Sequence, residues 1–287
     1  MHTLKLGDHT WKPGDSLFLF SGPCVIEGAD MCLYTAEHMK KICDRLGILY
    51  VFKSSYDKAN RSSMKSFRGP GLEEGVKILE RVRREIGVPV LTDVHDVQEA
   101  AYASEVVDVI QIPAFLCRQT TLVHSVARFA KTVNVKKGQF LSPWDVKNIV
   151  EKVEEGTRSA EKDTNLCLTE RGTSFGYGNL VVDMKSFPVL RSYGYPVVFD
   201  CSHSVQLPGG LGHATGGQRE FIEVLARAAI GAGTDGLFIE THPDVSEAKS
   251  DATNQVPLDK MDGLLSRLVA LHDFIRESIP PSESMEP

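Results

Sequence analysis

No apolar run in the chain approaches the roughly 20 residues that a helix needs to span a bilayer. Residues 17–20 are too short a run, and sit too far in, to serve as a secretory h-region, so a cytoplasmic protein is expected. A basic excess is also missing: 32 Lys and Arg stand against 38 Asp and Glu, a net charge of −6. That balance argues against a general nucleic-acid binder, and any cations that matter must act locally. The six cysteines (Cys24, Cys32, Cys43, Cys117, Cys167, Cys201) show no CxxC spacing and fall in strand-like or helix-like segments, which speaks against a disulfide framework. Cys32 and Cys43 read as small buried hydrophobes on an apolar-periodic helix. No GxGxxG follows the first apolar run, which ends in Ser-Gly-Pro-Cys, so nothing supports a dinucleotide-binding sheet.

What is present is an alternation. Apolar, strand-like runs occupy residues 17–24, 48–53, 88–93, 106–113, 132–136, 165–170, 196–200 and 236–240. Amphipathic stretches lie between them at 31–46, 72–86, 119–130, 143–155, 219–231 and 258–277, with Gly47, Gly87 and Gly233 placed to end helices. Near-continuous apolar strands are buried on both faces, which calls for a parallel sheet covered by helices. Eight such βα units predict an α/β fold of the closed (β/α)8 TIM-barrel type. The expected organisation is one catalytic domain over residues 1–278, opened by a short N-terminal cap, with 279–287 as a disordered tail.

The densest chemistry follows the second run, in Lys53-Ser-Ser-Tyr-Asp-Lys-Ala-Asn-Arg-Ser-Ser63. Three cations and several hydroxyl and amide donors stand directly behind an apolar strand. Alternation aims Lys53 and Ser55 from the strand end, and the turn brings Lys58, Asn60, Arg61 and Ser62 over the same mouth. Cations converging in this way suit a phosphate or carboxylate.

Barrel active sites sit at the C-terminal ends of the strands. Here those ends deliver Cys24, Lys53, Asp93 with His95, Gln111, Lys136, Glu170 with Arg171, His203, and Glu240 with His242. Closure makes the eighth strand a neighbour of the first, so Cys24, His203 and Glu240 come from adjacent strands and can share one ion, with Asp251 folding back as a fourth ligand. A thiolate, an imidazole and two carboxylates suit one divalent transition metal such as Zn, Fe or Mn. Cys201 is a rival ligand, and His95, His213 and His242 also stay open. Lys53, Lys58, Arg61, Lys136 and Arg171 form what reads as a separate cationic arc.

Several segments resemble the 3-deoxy-D-manno-octulosonate 8-phosphate (KDO-8-phosphate) synthases. They are residues 50–63, 66–75, 91–95, 108–119, 134–140 and 175–183, and the resemblance runs from about residue 22 to 271. It implies condensation of phosphoenolpyruvate with D-arabinose 5-phosphate, releasing phosphate, for the inner core of lipopolysaccharide. It implies that Lys53, Lys58, Gln111, Lys136 and Arg171 hold phosphoenolpyruvate, and that Asn60, Arg61 and Ser62 hold the pentose phosphate. Asp93 would line the same pocket, and Arg118 would reach in from a neighbouring subunit of a homotetramer. The family's metal-dependent class carries Cys at position 24, where the other class carries Asn. Residues 202–210 and 250–255 are similar to the metal-dependent type, which implies the ligand set Cys24, His203, Glu240 and Asp251. The nearest alternative, a 3-deoxy-D-arabino-heptulosonate 7-phosphate synthase, has a motif like Lys-Pro-Arg-Thr-Ser where this chain has Lys58-Ala-Asn-Arg-Ser62. An aldolase forming a Schiff base on Lys53 or Lys136 is an alternative from another class. A non-catalytic sugar-phosphate binder is a third.

Overall fold

A computed structural model describes residues 1–60, 66–175, 178–207 and 216–278. Eight parallel strands form the barrel: β1 (Phe18–Gly22), β2 (Leu49–Lys53), β3 (Val90–Asp93), β4 (Val109–Ile112), β5 (Thr132–Lys136), β6 (Leu166–Glu170), β7 (Val197–Asp200) and β8 (Gly236–His242). Each pairs with the next in sequence. The ring closes through β7 on β8 (Val198 opposite Gly236) and β8 on β1 (Gly236 opposite Phe18). The expected (β/α)8 architecture is therefore observed.

Helices follow the strands: α1 (Ala29–Leu46), α2 (Leu72–Ile86), α3 (Val97–Ser104), α4 (Thr120–Phe129), α5 (Lys147–Ser159), α6 (Ser186–Arg191), α7 (Ile222–Gly231) and α8 (Met261–Ser278). The apolar stripes of α1 and α2 end at Gly47 (φ 66°) and Gly87 (φ 72°), a left-handed conformation that glycine adopts without a Cβ clash. α3 and α6 have no counterpart among the amphipathic stretches of the sequence. Both are short, and α6 carries Pro188 inside its six residues, so neither shows a long apolar period. Among the described residues no helix is long and apolar enough to cross a membrane.

Period-two alternation sorts each strand into a helix-facing and an inward-facing set. Phe18, Phe20, Val51, Leu91, Val109, Cys167, Val198 and Phe238 fill the lower interior. A hairpin, Leu4–Leu6 paired with His9–Trp11, adds Leu4, Leu6 and Trp11 to that cluster, with the Trp11 ring edge-on to Phe18 at 5.5 Å. The N-terminal segment thus caps the closed end. A polar layer lies above it, where the Asn134 amide donates to Gln111 Oε1 at 3.0 Å and Asn134 Oδ1 accepts from the Thr169 hydroxyl at 2.6 Å. Two residues beyond Val51, Leu91, Asn134, Val198 and Phe238, the same register reaches Lys53, Asp93, Lys136, Asp200 and Glu240.

Candidate active site

Lys53 ends β2 and is 1% exposed. Its Nζ pairs with Glu240 Oε1 of β8 at 2.7 Å and donates to the Cys24 carbonyl at 3.1 Å. The chain places Cys24 there by zipping the extensions of β1 and β2 together. Ser55 N–H donates to Cys24 O, Ile26 N–H donates to Ser55 O, and the Ser54 hydroxyl donates to Pro23 O. Gly22 permits this approach, because a Cβ on it would lie 2.3 Å from the Lys53 carbonyl oxygen.

Cys24, Glu240 and Asp251 bring their ligand atoms within 4.8 Å of one another. Asp251 lies in the loop after β8 with φ 46°, and Gln255 ties that loop to the first strand. The Gln255 side chain accepts the Cys24 backbone N–H at 3.1 Å and donates to Ser250 O at 2.8 Å. The Cys24 thiol faces Ser250 Oγ at 3.1 Å and Asp251 Oδ2 at 3.3 Å. Burial, then the charges of Asp251 and Glu240, push its pKa well above the usual thiol range. His203 stands at the edge of this group, its Nε2 being 3.6 Å from Glu240 Oε1 and 3.7 Å from Asp251 Oδ2.

Asp200, wholly buried at the end of β7, organises the other side. It takes Lys136 Nζ at 2.5 Å and His203 Nδ1 at 2.8 Å. A carboxylate on Nδ1 fixes the imidazole so that Nε2 is free toward Glu240 and Asp251. Lys136 Nζ also lies 3.6 Å above the Phe238 ring. Burial lowers the Lys136 and Arg171 pKa values, against the raising effect of Asp200. Burial alone would raise the carboxyls of Asp93, Asp200 and Glu240, but the neighbouring cations and imidazoles hold all three well below the ordinary carboxylate range. Arg171 is buried and donates to the carbonyl of His203 at 3.1 Å and to Gln206 Oε1 at 2.6 Å.

Ser55 donates its hydroxyl to Asp93 Oδ1, and both are buried. Lys58 is half-buried behind them. Burial works against its charge, yet the surrounding Cys24, Glu240, Asp93 and Asp251 hold its pKa above the ordinary value. Gln111 is buried in the layer beneath.

The structure thus gathers Lys53, Ser55, Lys58, Asp93, Gln111, Lys136, Arg171, His203 and the three metal-capable residues at one mouth. Asn60 is exposed, and Arg61, Ser62, His213 and the segment 279–287 lie outside the described residues. Arg118 is exposed on the rim, in a cleft of about 130 Å³ with Asp145, Asn148 and Lys152. The rival ligands among the described residues have other partners. Cys201 Sγ points to the Phe199 carbonyl, His95 bridges Asp93 and Glu99, and His242 faces Glu27 at 3.5 Å. The expectation of separate metal and cationic arcs is not met. β2 is only two strands from β8, and the long Lys53 side chain reaches straight into the carboxylates. Asp200, which pairs with both Lys136 and His203, is not among the strand-end residues expected from the sequence; its signal there is the inward register it shares with Val198.

A parallel barrel with buried cations and a thiol–carboxylate group at its mouth is the framework of an enzyme acting on small, multiply anionic substrates. The chain belongs to the DAHP synthetase I family, whose model matches residues 8–277. Among curated relatives, a protein of Trichlorobacter lovleyi named 2-dehydro-3-deoxyphosphooctonate aldolase is 55% identical over 273 residues, covering 95% of this chain and 98% of its own. Proteins of the same name from Dechloromonas aromatica (58% over 259 residues, 90% and 92% covered) and Burkholderia cenocepacia (52% over 276 residues, 96% and 97% covered) are similar throughout.

Proposed function

We propose that the chain is a 2-dehydro-3-deoxyphosphooctonate aldolase, that is, a KDO-8-phosphate synthase. It condenses phosphoenolpyruvate with D-arabinose 5-phosphate and water, giving 3-deoxy-D-manno-octulosonate 8-phosphate and phosphate for lipopolysaccharide inner-core synthesis. The observation that carries the reading is the convergence of Lys53, Lys136 and Arg171, all buried, beside Cys24, Glu240 and Asp251 in one barrel mouth. The names carried by the relatives favour it over the heptulosonate synthase.

Lys53, Lys58, Gln111, Lys136 and Arg171 hold the carboxylate and phosphate of phosphoenolpyruvate. Ser55 and Asp93 line the wall, and Asn60, Arg61 and Ser62 hold the pentose phosphate. C3 of phosphoenolpyruvate attacks the C1 aldehyde, water adds at C2, and the resulting phosphohemiketal loses phosphate by C–O cleavage. The lysines and Arg171 neutralise the charge that builds on the departing phosphate. Arg118 completes the sugar site of a neighbouring subunit in a homotetramer. Its exposure supports this, as does the exposure of Phe115, Phe140 and Trp144, at 57%, 56% and 58%.

Cys24, His203, Glu240 and Asp251 would hold one divalent transition metal. Two features fit that role. Glu240 Oε2 is buried and has no hydrogen-bond partner among the described residues, and His203 Nε2 faces two carboxylates while Asp200 occupies Nδ1. When bound, such a metal polarises an aldehyde or water oxygen. Cys24→Asn is expected to lower metal affinity by more than the roughly 10- to 100-fold that follows loss of a group merely supporting a ligand, read by elemental analysis after dialysis against chelator; full occupancy in that variant would remove Cys24 from the ligand set.

The reaction type is tested by measuring phosphate released from phosphoenolpyruvate plus arabinose 5-phosphate, with borohydride trapping in parallel. Phosphate release without a trapped adduct is expected. A borohydride-fixed adduct on Lys53 or Lys136 would favour the Schiff-base alternative.

A further inference from the structure

Behind the pocket wall lies a chain of ionisable groups outside the proposed metal site. Glu99 sits in the first turn of α3, and its Oε2 gathers three donors: the Tyr56 hydroxyl at 2.7 Å, the His95 backbone N–H at 2.6 Å and His95 Nδ1 at 3.0 Å. The other ring nitrogen of His95, Nε2, stands 3.3 Å from Asp93 Oδ2. Asp93 in turn accepts the Ser55 hydroxyl. A ring with a carboxylate at each nitrogen satisfies both only as the doubly protonated imidazolium. Burial would lower the His95 pKa, but Asp93 and then Glu99 outweigh it and hold it at about 8. The groups facing the ring come from three elements. Asp93 ends β3, Glu99 comes from α3, and Tyr56, from the segment after β2, lies edge-on at 5.8 Å. The charges of Lys58 and Lys53 also act on Asp93.

We propose that Glu99 is a positioning residue for the condensation: it anchors His95 so that Nε2–H engages Asp93, fixing Asp93 and Ser55 at the wall of the sugar-phosphate pocket. The kinetic part rests on the function proposed above; the anchoring does not. Glu99 touches no reacting atom, and its effect travels through His95.

The test is Glu99→Gln in the metal-loaded enzyme. The amide oxygen still accepts from Tyr56 and the His95 backbone, so the fold is kept while the charge is lost. The His95 midpoint, followed by long-range 1H–15N NMR, should fall from about 8 by about one pH unit. Because the raised imidazolium is lost as pH rises through its midpoint, the alkaline limb of kcat/KM for the aldose should move down with it. KM for the aldose should rise roughly tenfold while KM for phosphoenolpyruvate stays put. Tyr56→Phe removes a donor from Glu99 but keeps the charge, and should leave the midpoint at or above its starting value. An unmoved midpoint in Glu99→Gln, or an equal fall in both variants, overturns the proposal. If arabinose 5-phosphate is not a substrate at all, the functional reading fails, and the NMR midpoint still decides whether Glu99 governs His95.

Discussion

Glu240→Gln is expected to cost about 3 kcal/mol of stability, a fall in Tm of roughly 5 °C, and to abolish tight metal uptake in the same step. The size follows from what the carboxylate does. It is wholly buried and neutralises Lys53, also buried, at 2.7 Å. An amide leaves that ammonium with the Cys24 carbonyl and the face of Phe238, 5.3 Å away, neither of which replaces a full counter-charge. The sign with pH is fixed as well. Burial alone would raise the Glu240 pKa, but Lys53, His203, Lys58 and Lys136 depress it well below the ordinary value of 4.5. A depressed carboxyl stabilises above its unfolded pKa and loses that contribution as pH falls. The Tm gap between wild type and variant should therefore be full at neutral pH and narrow below pH 4.5. A constant gap would mean that the cost is packing and not charge.

The second large effect is on chemistry. Lys136→Met should lower kcat/KM by about 10³-fold or more, the loss expected when a preorganised cation is removed from a site that stabilises departing phosphate. Its structural cost should be smaller than that of Glu240→Gln, because Asp200 keeps His203 at 2.8 Å after Lys136 is gone. Metal content should stay near that of wild type, since the imidazole keeps its anchor. A variant with normal kcat/KM would remove Lys136 from the phosphate site, and one that also loses its metal would show that Lys136, not Asp200, orients His203.

Much of this was legible in the sequence because a parallel barrel writes itself plainly. Strands buried on both faces give apolar runs, and the residue that ends each run is delivered to the mouth. Lys53, Asp93, Gln111, Lys136 and Glu240 were reached that way, and the order of strands predicted that β8 would lie against β1. What stayed hidden depends on side-chain reach and on partners far apart in the chain. Asp200 reads as the polar end of a strand until Lys136, 64 residues away, is seen to pair with it. Glu99 reads in the sequence only as the third helical position after the N-cap Asp96, and Tyr56 only as part of the segment after β2; a side-chain contact across 43 residues joins them. The metal-capable and cationic residues looked separable by strand number, yet a lysine at one rim position of a narrow barrel reaches its neighbours' carboxylates. Arg118 entered through resemblance alone, and the structure shows it exposed in a cleft with Asp145, Asn148 and Lys152.

The central claim is the choice of aldose. It is tested most directly by incubating the enzyme with phosphoenolpyruvate and either arabinose 5-phosphate or erythrose 4-phosphate, with and without chelator, and following phosphate and the mass of the sugar product. Phosphate and an eight-carbon keto-acid phosphate with the pentose, little product with the tetrose, and loss of activity with chelator are predicted. A seven-carbon product formed preferentially from erythrose 4-phosphate would contradict the account.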